Sequence, residues 1–388
     1  MPIAVEPQVF DLLTYLVQNR DRVVSKDDLF ASVWSGRIVS DSTLASRIAA
    51  VRKAVGDSGE EQKLIRTVAR RGIRFIGAVN CQPNGEEPAY AAGPRPERLP
   101  ASPALHKVQF CTTSDGVRIA YASVGDGPPV VWAAHWLSHL AYSWETPIWR
   151  HWTEEFAKDY AFVHYDERGN GLSDWDNPTF SVDTFVRDLE AVVDALGFDR
   201  FALIGSSKGG STAMAYAARH PERVSHLVLL GAGAQGWRVW GNGDEIERRE
   251  AVATLTRQGW ARDNPAYRQI LTSLMLPDAT VEEMAWFNDL QRISSSAENA
   301  ARLQQSLAEV NVVDFLPSIA APTLVLHCRE DAAVPFEQGR LIASRIPGAR
   351  LVALESRNHV LLPRDPAWAV FVSEVRRFLR EEEPVMSR

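Results

Sequence analysis

Cysteine is scarce in this chain: only Cys81, Cys111 and Cys328 are present among 388 residues, and they stand far apart. An odd number of widely spaced cysteines excludes a disulfide framework and provides no thiolate cluster for a metal ion. We therefore expect neither a structural disulfide nor a bound metal, and the chemistry inferred below requires no cofactor.

Hydrophobic runs long enough for a membrane are also missing. No apolar stretch approaches the roughly 20 residues that cross a bilayer, and the N-terminus lacks the basic and apolar segments of a signal peptide. Hydrophobic residues make up 45% of the chain and charged residues 23%, as in typical globular proteins. We expect a cytoplasmic protein with no membrane partner.

Acidic residues are comparatively few at the N-terminal end. Residues 1–79 contain 12 Lys and Arg against 9 Asp and Glu, a net charge of +3, whereas the rest of the chain carries −10. A cationic segment in an otherwise acidic chain indicates an anionic partner. Residues 80–104 contain six prolines and no apolar periodicity, which predicts a linker between a domain at 1–79 and a second domain at 105–388.

Three helices are predicted before the linker, and the third begins at Ser40 or Asp41. Its core-facing stripe, apolar at every third or fourth position, consists of Leu44, Ile48, Val51 and Val55. The opposite face is small, polar and basic, and it holds Ser42, Ser46, Ala49 and Lys53, with Arg47 and Arg52 on its flanks. Such a face fits the major groove of DNA.

Two short apolar segments, 64–68 and 73–76, flank Arg70-Arg71-Gly72 and predict a hairpin with a basic tip. The third helix and this hairpin together supply the candidate DNA-binding residues, which are Ser42, Ser46, Arg47, Arg52, Lys53, Arg70, Arg71 and Arg74. Taken singly, each of these arginines is better explained as solvated surface than as a residue that reads a base. The set as a whole favours DNA binding.

These N-terminal features resemble the OmpR-type winged helix-turn-helix of response regulators and CadC-like activators. The matching stretches follow one another in the family's order and are residues 22–29, 33–34, 48–57, 65–68 and 72–75. The resemblance implies DNA as a partner. The family usually has a small antiparallel sheet before the first helix; Met1 stands almost on that helix, so we expect this sheet to be truncated or absent.

From Lys107 onward, predicted strands alternate with predicted helices. The strands are expected at 107–113, 117–124, 129–134, 161–166, 201–204, 226–230, 323–328 and 350–355. Runs such as Val130–Ala133 are apolar throughout, which indicates strands buried on both faces of a largely parallel sheet. Residues 232–320 are amphipathic helical sequence, predicted to form a cap over the carboxyl ends of the strands.

The fifth of these strands ends in Gly205-Ser206-Ser207-Lys208-Gly209, a G-x-S-x-G pattern. Between a strand and a helix this pattern makes a sharp, crowded turn that only glycine accommodates at its ends. The turn places Ser207 at a helix N-terminus, where backbone N–H groups favour a developing negative charge. Ser207 is therefore the candidate nucleophile.

An elbow after the fifth strand and a helical insertion after the sixth resemble the α/β-hydrolase fold, which has an eight-stranded, mostly parallel sheet. Residues 165–174 are similar to the family's D-x-R-G-x-G-x-S turn, and residues 327–335 to the segment that carries its catalytic acid. The resemblance implies a triad of Ser207, Asp331 and His359 in the family's order. Glu330 is a neighbouring alternative to Asp331.

Each member of this triad has a chemical role. The imidazole takes the proton of a weakly nucleophilic serine, and the carboxylate fixes the imidazole tautomer. Dehalogenases and epoxide hydrolases of this fold have Asp as nucleophile, so serine favours acyl transfer on an ester, lactone, thioester or carbon–carbon bond, with haloperoxidase-like chemistry as a side reaction. The oxyanion hole is predicted from the backbone N–H groups of Lys208 and Trp136, with His135 in place of the family's common glycine.

Eleven of the twelve tryptophans lie in the predicted second domain, residues 105–388. The candidate pocket residues are His135, Trp237, Trp240, Trp260 and Trp286, and we expect about two of the tryptophans to line a pocket while the others pack in the core. Lys208 is unusual beside a nucleophile. It either attracts an anionic or carbonyl-rich ligand or points outward and pairs with an acid.

We interpret the chain as a DNA-binding transcription regulator whose serine-hydrolase domain binds and hydrolyses a small ester, lactone or related effector. This interpretation allows a homodimer. Two alternatives stay open: a carboxylesterase-type hydrolase with a vestigial DNA-binding domain, and a ligand sensor without turnover. Sequence-specific DNA binding separates the first alternative from the regulator, and turnover separates the second.

Overall fold

The computed structural model describes residues 12–13, 15–17, 19–26, 28–29, 33, 41–68, 71–77, 107–176, 178–260, 262 and 264–381. The chain divides into two compact units, Met1–Glu87 and Pro88–Arg388. The division falls within the predicted linker, whose residues 80–104 lie outside the described ones. The two units are treated separately below.

The N-terminal unit contains helix α1 (Asp41–Ala54) and an antiparallel hairpin of β1 (Ile65–Val68) and β2 (Gly72–Phe75). Val24 adds a bridge to Ile73 in the second strand. Gly72 has a φ of +133°, and a Cβ there would lie 2.0 Å from the carbonyl oxygen of Val24. Only glycine lets the two backbones approach this closely, so the predicted hairpin depends on it.

The C-terminal unit is built on an eight-stranded sheet. Its strands are β3 (Gln109–Thr112), β4 (Arg118–Val124), β5 (Pro129–Ala133), β6 (Ala161–Asp166), β7 (Phe201–Ser206), β8 (Val224–Leu230), β9 (Thr323–Cys328) and β10 (Arg350–Leu354). Across the sheet they follow the order β10-β9-β8-β7-β5-β6-β4-β3. β4 pairs antiparallel with both of its neighbours, and the other pairings are parallel. The predicted fold class is confirmed, and a strand stands at each of the eight predicted places.

Continuous apolar runs form the central strands because both faces of the sheet are covered. On β5, Val131 belongs to one buried cluster and its neighbour Val130 to another. Leu229 and Val228 on β8 divide between the same two clusters. The sheet therefore separates two cores and has no solvent-facing side at its centre.

Helices cover the sheet and form a cap. Those outside the cap are α2 (Leu140–Glu145), α3 (Arg150–Phe156), α4 (Val182–Ala195), α5 (Lys208–Arg219), α11 (Phe336–Arg345) and α12 (Pro366–Leu379). The cap helices are α6 (Trp237–Trp240), α7 (Gly243–Gly259), α8 (Ala266–Met275), α9 (Val281–Ser294) and α10 (Ala297–Glu309), followed by a 3₁₀ helix at Val313–Ser318. All of the latter lie between β8 and β9, where the cap is predicted. Of the helices that the structure describes, none has the length and apolar character required to traverse a bilayer.

Candidate active site

The candidate nucleophile stands on a strained turn between β7 and α5. Ser207 has φ 50° and ψ −124°, values that a residue with a side chain rarely adopts. The glycines after it are required by packing: a Cβ on Gly209 would lie 2.7 Å from the carbonyl oxygen of Ala133, and one on Gly210 would lie 2.3 Å from Cβ of Ala232. The G-x-S-x-G sequence thus makes the elbow that it predicts.

The predicted acid and base are in direct contact. His359 Nδ1 lies 2.6 Å from Oδ2 of Asp331, and Asp331 Oδ1 accepts the N–H groups of Ala333 and Val334, each at 2.9 Å. Burial raises the pKa of Asp331, but His359 and these backbone donors outweigh it and lower the pKa. The carboxylate therefore stays ionised and holds the hydrogen on Nδ1. Glu330, the neighbouring alternative, has a side chain 74% exposed.

The other nitrogen of His359 is the one available to serine. Among the residues that the structure describes, His359 Nε2 is buried without a hydrogen-bond partner, and His359 lines a small cavity together with Ser207. The backbone passes close to the ring at Gly231, where a Cβ would lie 3.2 Å from His359 Cε1. The structure thus places Ser207 and His359 on one cavity, with Asp331 on the other nitrogen of the imidazole.

The predicted oxyanion donors border the same space as Ser207. Lys208 is the first residue of α5, so its N–H has no acceptor within the helix. Trp136 follows β5 and lines the same cavity as Ser207 and Lys208. Lys208 and Trp136 therefore stay the predicted donors of an oxyanion hole.

His135, which is predicted to stand where the family commonly has glycine, is packed among aromatic rings. Its ring centroid lies 4.2 Å from that of Trp149 and 4.8 Å from that of Trp132, and its Nδ1 lies 3.1 Å from the carbonyl oxygen of Trp136. Burial lowers the pKa of His135 to about 4, so the ring is neutral near pH 7. An aromatic niche explains how the loop accommodates the larger side chain.

Lys208 is paired with an acid, as one of the two expectations has it. Its side chain points into the protein, however, and not outward as that expectation requires. Its ammonium contacts the carboxylate of Glu167, and the two side chains are 2% and 1% exposed. It also lies 3.4 Å from the ring centroid of Phe185. Burial lowers the pKa of Lys208 well below its usual value, and Glu167 opposes this by attracting the cation. Because the charge is already paired, attraction of an anionic ligand loses its support.

A cavity of about 180 Å³ lies under the cap and reaches Ser207. Of the predicted tryptophans, Trp136, Trp237 and Trp240 line it. The expectation is wrong for Trp260, which is buried and donates its Nε1–H to the carbonyl oxygen of Ser295 at 2.9 Å, and for Trp286, which packs on Tyr142 in the core. Both side chains are therefore packing residues: Trp286 contacts Tyr142 of α2 and Trp260 contacts Trp136 of the loop after β5.

A second cavity, of about 20 Å³, adjoins the triad, and His135 lines it. Trp136, Ser207 and Met275 border both cavities. Among the described residues there is no group of three His, Cys, Asp or Glu side chains that could hold a metal ion. The site as described offers nucleophilic and acid–base chemistry through its own side chains.

Arg249 of the cap was not among the predicted site residues, although it contacts the loop that carries the acid. Its guanidinium donates to the carbonyl oxygens of Ala333 at 3.0 Å and Ala332 at 3.4 Å, and to Glu245 at 2.5 Å. It also lies over the ring of Trp240. No local pattern in the sequence signals a contact between residues more than eighty positions apart.

In the N-terminal unit, half of the predicted DNA-binding side chains that the structure describes are exposed. Ser46 and Lys53 on α1 and Arg71 in the hairpin are exposed, and Arg47 is half-buried. Arg74 is half-buried and donates its Nε–H to the carbonyl oxygen of Arg20 at 3.2 Å. The side chain of Ser42 and the whole of Arg70 lie outside the described residues.

Arg52 was predicted to belong to the DNA-binding face, and the structure corrects this because its side chain is buried. Only 8% of it is exposed, and its guanidinium donates to the carbonyl oxygen of Ile65 and to Oγ1 of Thr67. Its position beside the core stripe lets the long side chain reach across to β1. Nearby Asp57 accepts four backbone N–H groups, which overcome burial and hold its pKa far below the usual range. Arg52 thus links α1 to β1, and Asp57 links the turn after α1 to the residues that lead into β1.

Comparison with known proteins agrees with this description. Residues 139–366 match the family model of the alpha/beta hydrolase fold, and residues 1–75 match that of the transcriptional regulatory protein, C terminal. The chain belongs to the α/β hydrolase fold family. It also carries the DNA-binding domain of OmpR-type transcription regulators, so the predicted fusion is confirmed.

Individual relatives are distant and cover the hydrolase part. The AB hydrolase superfamily protein YisY of Bacillus subtilis is 27% identical in an alignment of 268 positions that covers 64% of this chain and 91% of YisY. The non-heme chloroperoxidase CPO-A1 of Kitasatospora aureofaciens is 28% identical in an alignment of 273 positions that covers 66% of this chain and 94% of the chloroperoxidase. The relatives support a hydrolase and leave its substrate class open.

Solved structures show the same fold. An esterase from Exiguobacterium antarcticum superimposes with a TM-score of 0.61 at 23% identity, covering 71% of this chain and all of the esterase. Est816, described as an N-acyl homoserine lactone degrading enzyme, superimposes with a TM-score of 0.57 at 26% identity, covering 70% of this chain and all of Est816.

Proposed function

We propose that this protein is a transcription regulator whose hydrolase domain binds and hydrolyses a small carboxylic ester or lactone. One observation carries the proposal: Ser207, on its strained elbow, lines a cavity with His359, whose other nitrogen contacts buried Asp331. A structural serine would not need a backbone conformation of this cost. The lactone-degrading activity described for Est816 supports the lactone part of this substrate class.

The reaction follows from the geometry. His359 Nε2 accepts the proton of Ser207 as Oγ attacks the substrate carbonyl, and the oxyanion is held by the N–H groups of Lys208 and Trp136. As the intermediate collapses, the imidazolium returns its proton to the leaving alcohol oxygen. Water then attacks the acyl-enzyme with His359 as base, which releases the acid and restores Ser207. Asp331 stabilises the charged imidazolium in both halves.

The regulatory part of the proposal rests on the DNA-binding domain. A ligand can change DNA affinity only if it binds two states of the protein unequally. We place that difference in the occupancy or acylation of the Ser207 cavity. Because a transcription regulator needs access to DNA, we assign the protein to the cytoplasm. A homodimer would let two winged helices bind paired half-sites.

We expect a fluorophosphonate probe to label Ser207, because an activated serine attacks its phosphorus and loses the probe's leaving group. Intact mass spectrometry and peptide mapping locate the adduct. Ser207→Ala should lose the label. The matched control is Ser206→Ala, since Ser206 Oγ accepts from Trp132 Nε1 and lies one residue away from the nucleophile. If wild-type protein is not labelled, or if Ser207→Ala is labelled as well, the proposal of hydrolase activity at Ser207 is rejected. The ligand sensor without turnover then remains.

A further inference from the structure

Arg249 of the cap contacts the two peptide groups that hold the acid of the triad. Its guanidinium donates to the carbonyl oxygen of Ala333 at 3.0 Å and to that of Ala332 at 3.4 Å. Asp331 Oδ1 accepts the N–H groups of Ala333 and Val334, each at 2.9 Å. The carbonyl of one residue and the N–H of the next belong to the same peptide group. Each of the two peptides therefore joins Arg249 to Asp331.

The chain of contacts continues to the base. Asp331 Oδ2 lies 2.6 Å from Nδ1 of His359, so the guanidinium and the imidazole stand at the two ends of one hydrogen-bonded chain. A trans peptide is planar, and its C=O and N–H point to opposite sides. A donor that fixes both carbonyl oxygens therefore also fixes the direction of both N–H groups. Hydrogen bonds in such a chain polarise one another, so Arg249 restrains the carboxylate that orients the imidazole.

The guanidinium of Arg249 is itself held in place. Glu245, four residues earlier on α7, accepts the Nε–H of Arg249 at 2.5 Å, and the guanidinium lies 5.0 Å from the ring centroid of Trp240. The two terminal nitrogens then face the carbonyl oxygens of the acid loop. This arrangement uses the planar, multiple donors of arginine, which the single ammonium of lysine does not reproduce.

The same side chain ties the acid loop to the cap. Of the 17 residues of α7, which the structure describes in full, only Thr256 and Gly259 are buried. The position of this helix therefore depends on polar contacts such as that of Arg249. Arg249 also lines the large cavity, together with Ala333 and Val334 of the acid loop. The link between cap and acid thus lies in the wall of the ligand cavity.

We infer that Arg249 is a positioning residue, which aligns Asp331 through the two peptide groups and makes the alignment of the triad depend on the cap. This inference rests on the proposed function for the reaction in which His359 serves as base. It requires no contact between Arg249 and the substrate. Loss of Arg249 should therefore lower kcat, with little effect on KM, and only while residue 331 is a carboxylate.

The kinetic test compares Arg249→Met with Arg248→Met in full-length protein, each in the wild-type and in the Asp331→Asn background. Arg248 is the matched control because it also donates to Glu245, at 2.6 Å, and its side chain is 68% exposed. Methionine removes the charge and the donors of either arginine. Hydrolysis of 4-methylumbelliferyl acetate, followed by fluorescence, gives kcat and KM and also detects the residual catalysis that remains in a triad with an altered acid.

We expect Arg249→Met to lower kcat about tenfold, the effect of one hydrogen bond of ordinary strength. KM should stay within about twofold, because the lost contact does not bind the substrate. Arg248→Met should change neither. In the Asp331→Asn background Arg249→Met should lower kcat no further, since residues that act as a unit are not additive. An unchanged kcat in Arg249→Met, an equal loss in Arg248→Met, or a tenfold loss in both backgrounds overturns the inference.

Proton NMR supplies a readout that does not need turnover. The hydrogen between His359 Nδ1 and Asp331 Oδ2 gives a line at low field, and its loss in Asp331→Asn assigns it. The line should shift in Arg249→Met and not in Arg248→Met, while dispersed methyl lines in the same spectrum show that each variant is folded. An unshifted line in Arg249→Met, or no such line in the wild type, overturns the inference. A shifted line in protein whose Ser207 fails to react with fluorophosphonate keeps the positioning role and rejects the enzyme proposal.

Discussion

Asp331→Asn is expected to lower kcat for hydrolysis of a p-nitrophenyl ester about 10⁴-fold, the loss that the equivalent change causes in other serine triads. Asp331 Oδ2 accepts the Nδ1 hydrogen of His359 at 2.6 Å, and Oδ1 is fixed by two backbone donors. An asparagine can present its NH₂ group to Nδ1, which moves the hydrogen to Nε2 and leaves no base for Ser207. Release of p-nitrophenol, followed by absorbance, measures the rate.

The control for this prediction is Glu330→Gln, one residue away. Its carboxylate is exposed and lies 4.0 Å from the guanidinium of Arg357, so the rate should stay within about twofold, as for an ordinary surface substitution. The reverse outcome, with Glu330→Gln inactive and Asp331→Asn active, would assign the acid to Glu330. Similar losses in both variants would indicate damage to the loop and would not support either residue.

Glu167→Gln is expected to destabilise the hydrolase unit by about 3–5 kcal/mol, because it leaves the buried ammonium of Lys208 without its counter-charge. Urea unfolding at pH 7 measures the free energy of unfolding. Burial lowers the pKa of Lys208 in the folded state, so above that pKa the folded state binds fewer protons than the unfolded state. The free energy of unfolding of the variant should therefore rise with pH toward the usual lysine pKa.

Two further variants make this prediction specific. The double variant Glu167→Gln, Lys208→Met removes both charges and should recover most of the loss. The exposed pair of Arg329 and Glu355, 2.7 Å apart with side chains 54% and 79% exposed, is the matched control, and Glu355→Gln should cost less than about 1 kcal/mol. Equal costs for Glu167→Gln and Glu355→Gln would contradict the account of Lys208.

Much of the fold could be predicted because it depends on local patterns. The apolar run at Val130–Ala133 forms a strand with both faces buried, and the glycines around Ser207 meet backbone or side-chain atoms that leave no room for a Cβ. Such features are set by neighbours in sequence or by a repeated period. The same applies to the stripe on α1, where Leu44 and Val51 are buried.

The failures concern long side chains whose partners lie elsewhere in the chain. Arg52 has the position of a flank residue on α1, but its length allows it to bind Ile65 and Thr67. Lys208 finds Glu167 because the elbow and the turn after β6 meet at the same end of the sheet. Helical spacing gives the direction of a Cβ but not where a flexible side chain ends, so the sequence could not assign either partner.

The tryptophans show a related limit. Trp237 and Trp240 line the cavity, whereas Trp260 and Trp286 are buried in packing. The sequence places all four in the cap, and composition cannot separate a wall of the pocket from the core beneath it.

The central claim, that the state of Ser207 is transmitted to DNA binding, is tested most directly by a gel shift on the DNA upstream of the protein's own gene, before and after fluorophosphonate treatment. Coupling between two sites typically changes affinity by about 5- to 150-fold, so modification should shift the apparent Kd at least fivefold in wild-type protein and leave Ser207→Ala unchanged. Lys53→Ala, on the exposed face of α1, should weaken the shift in both states. An identical shift with and without the adduct on Ser207 would contradict the claim.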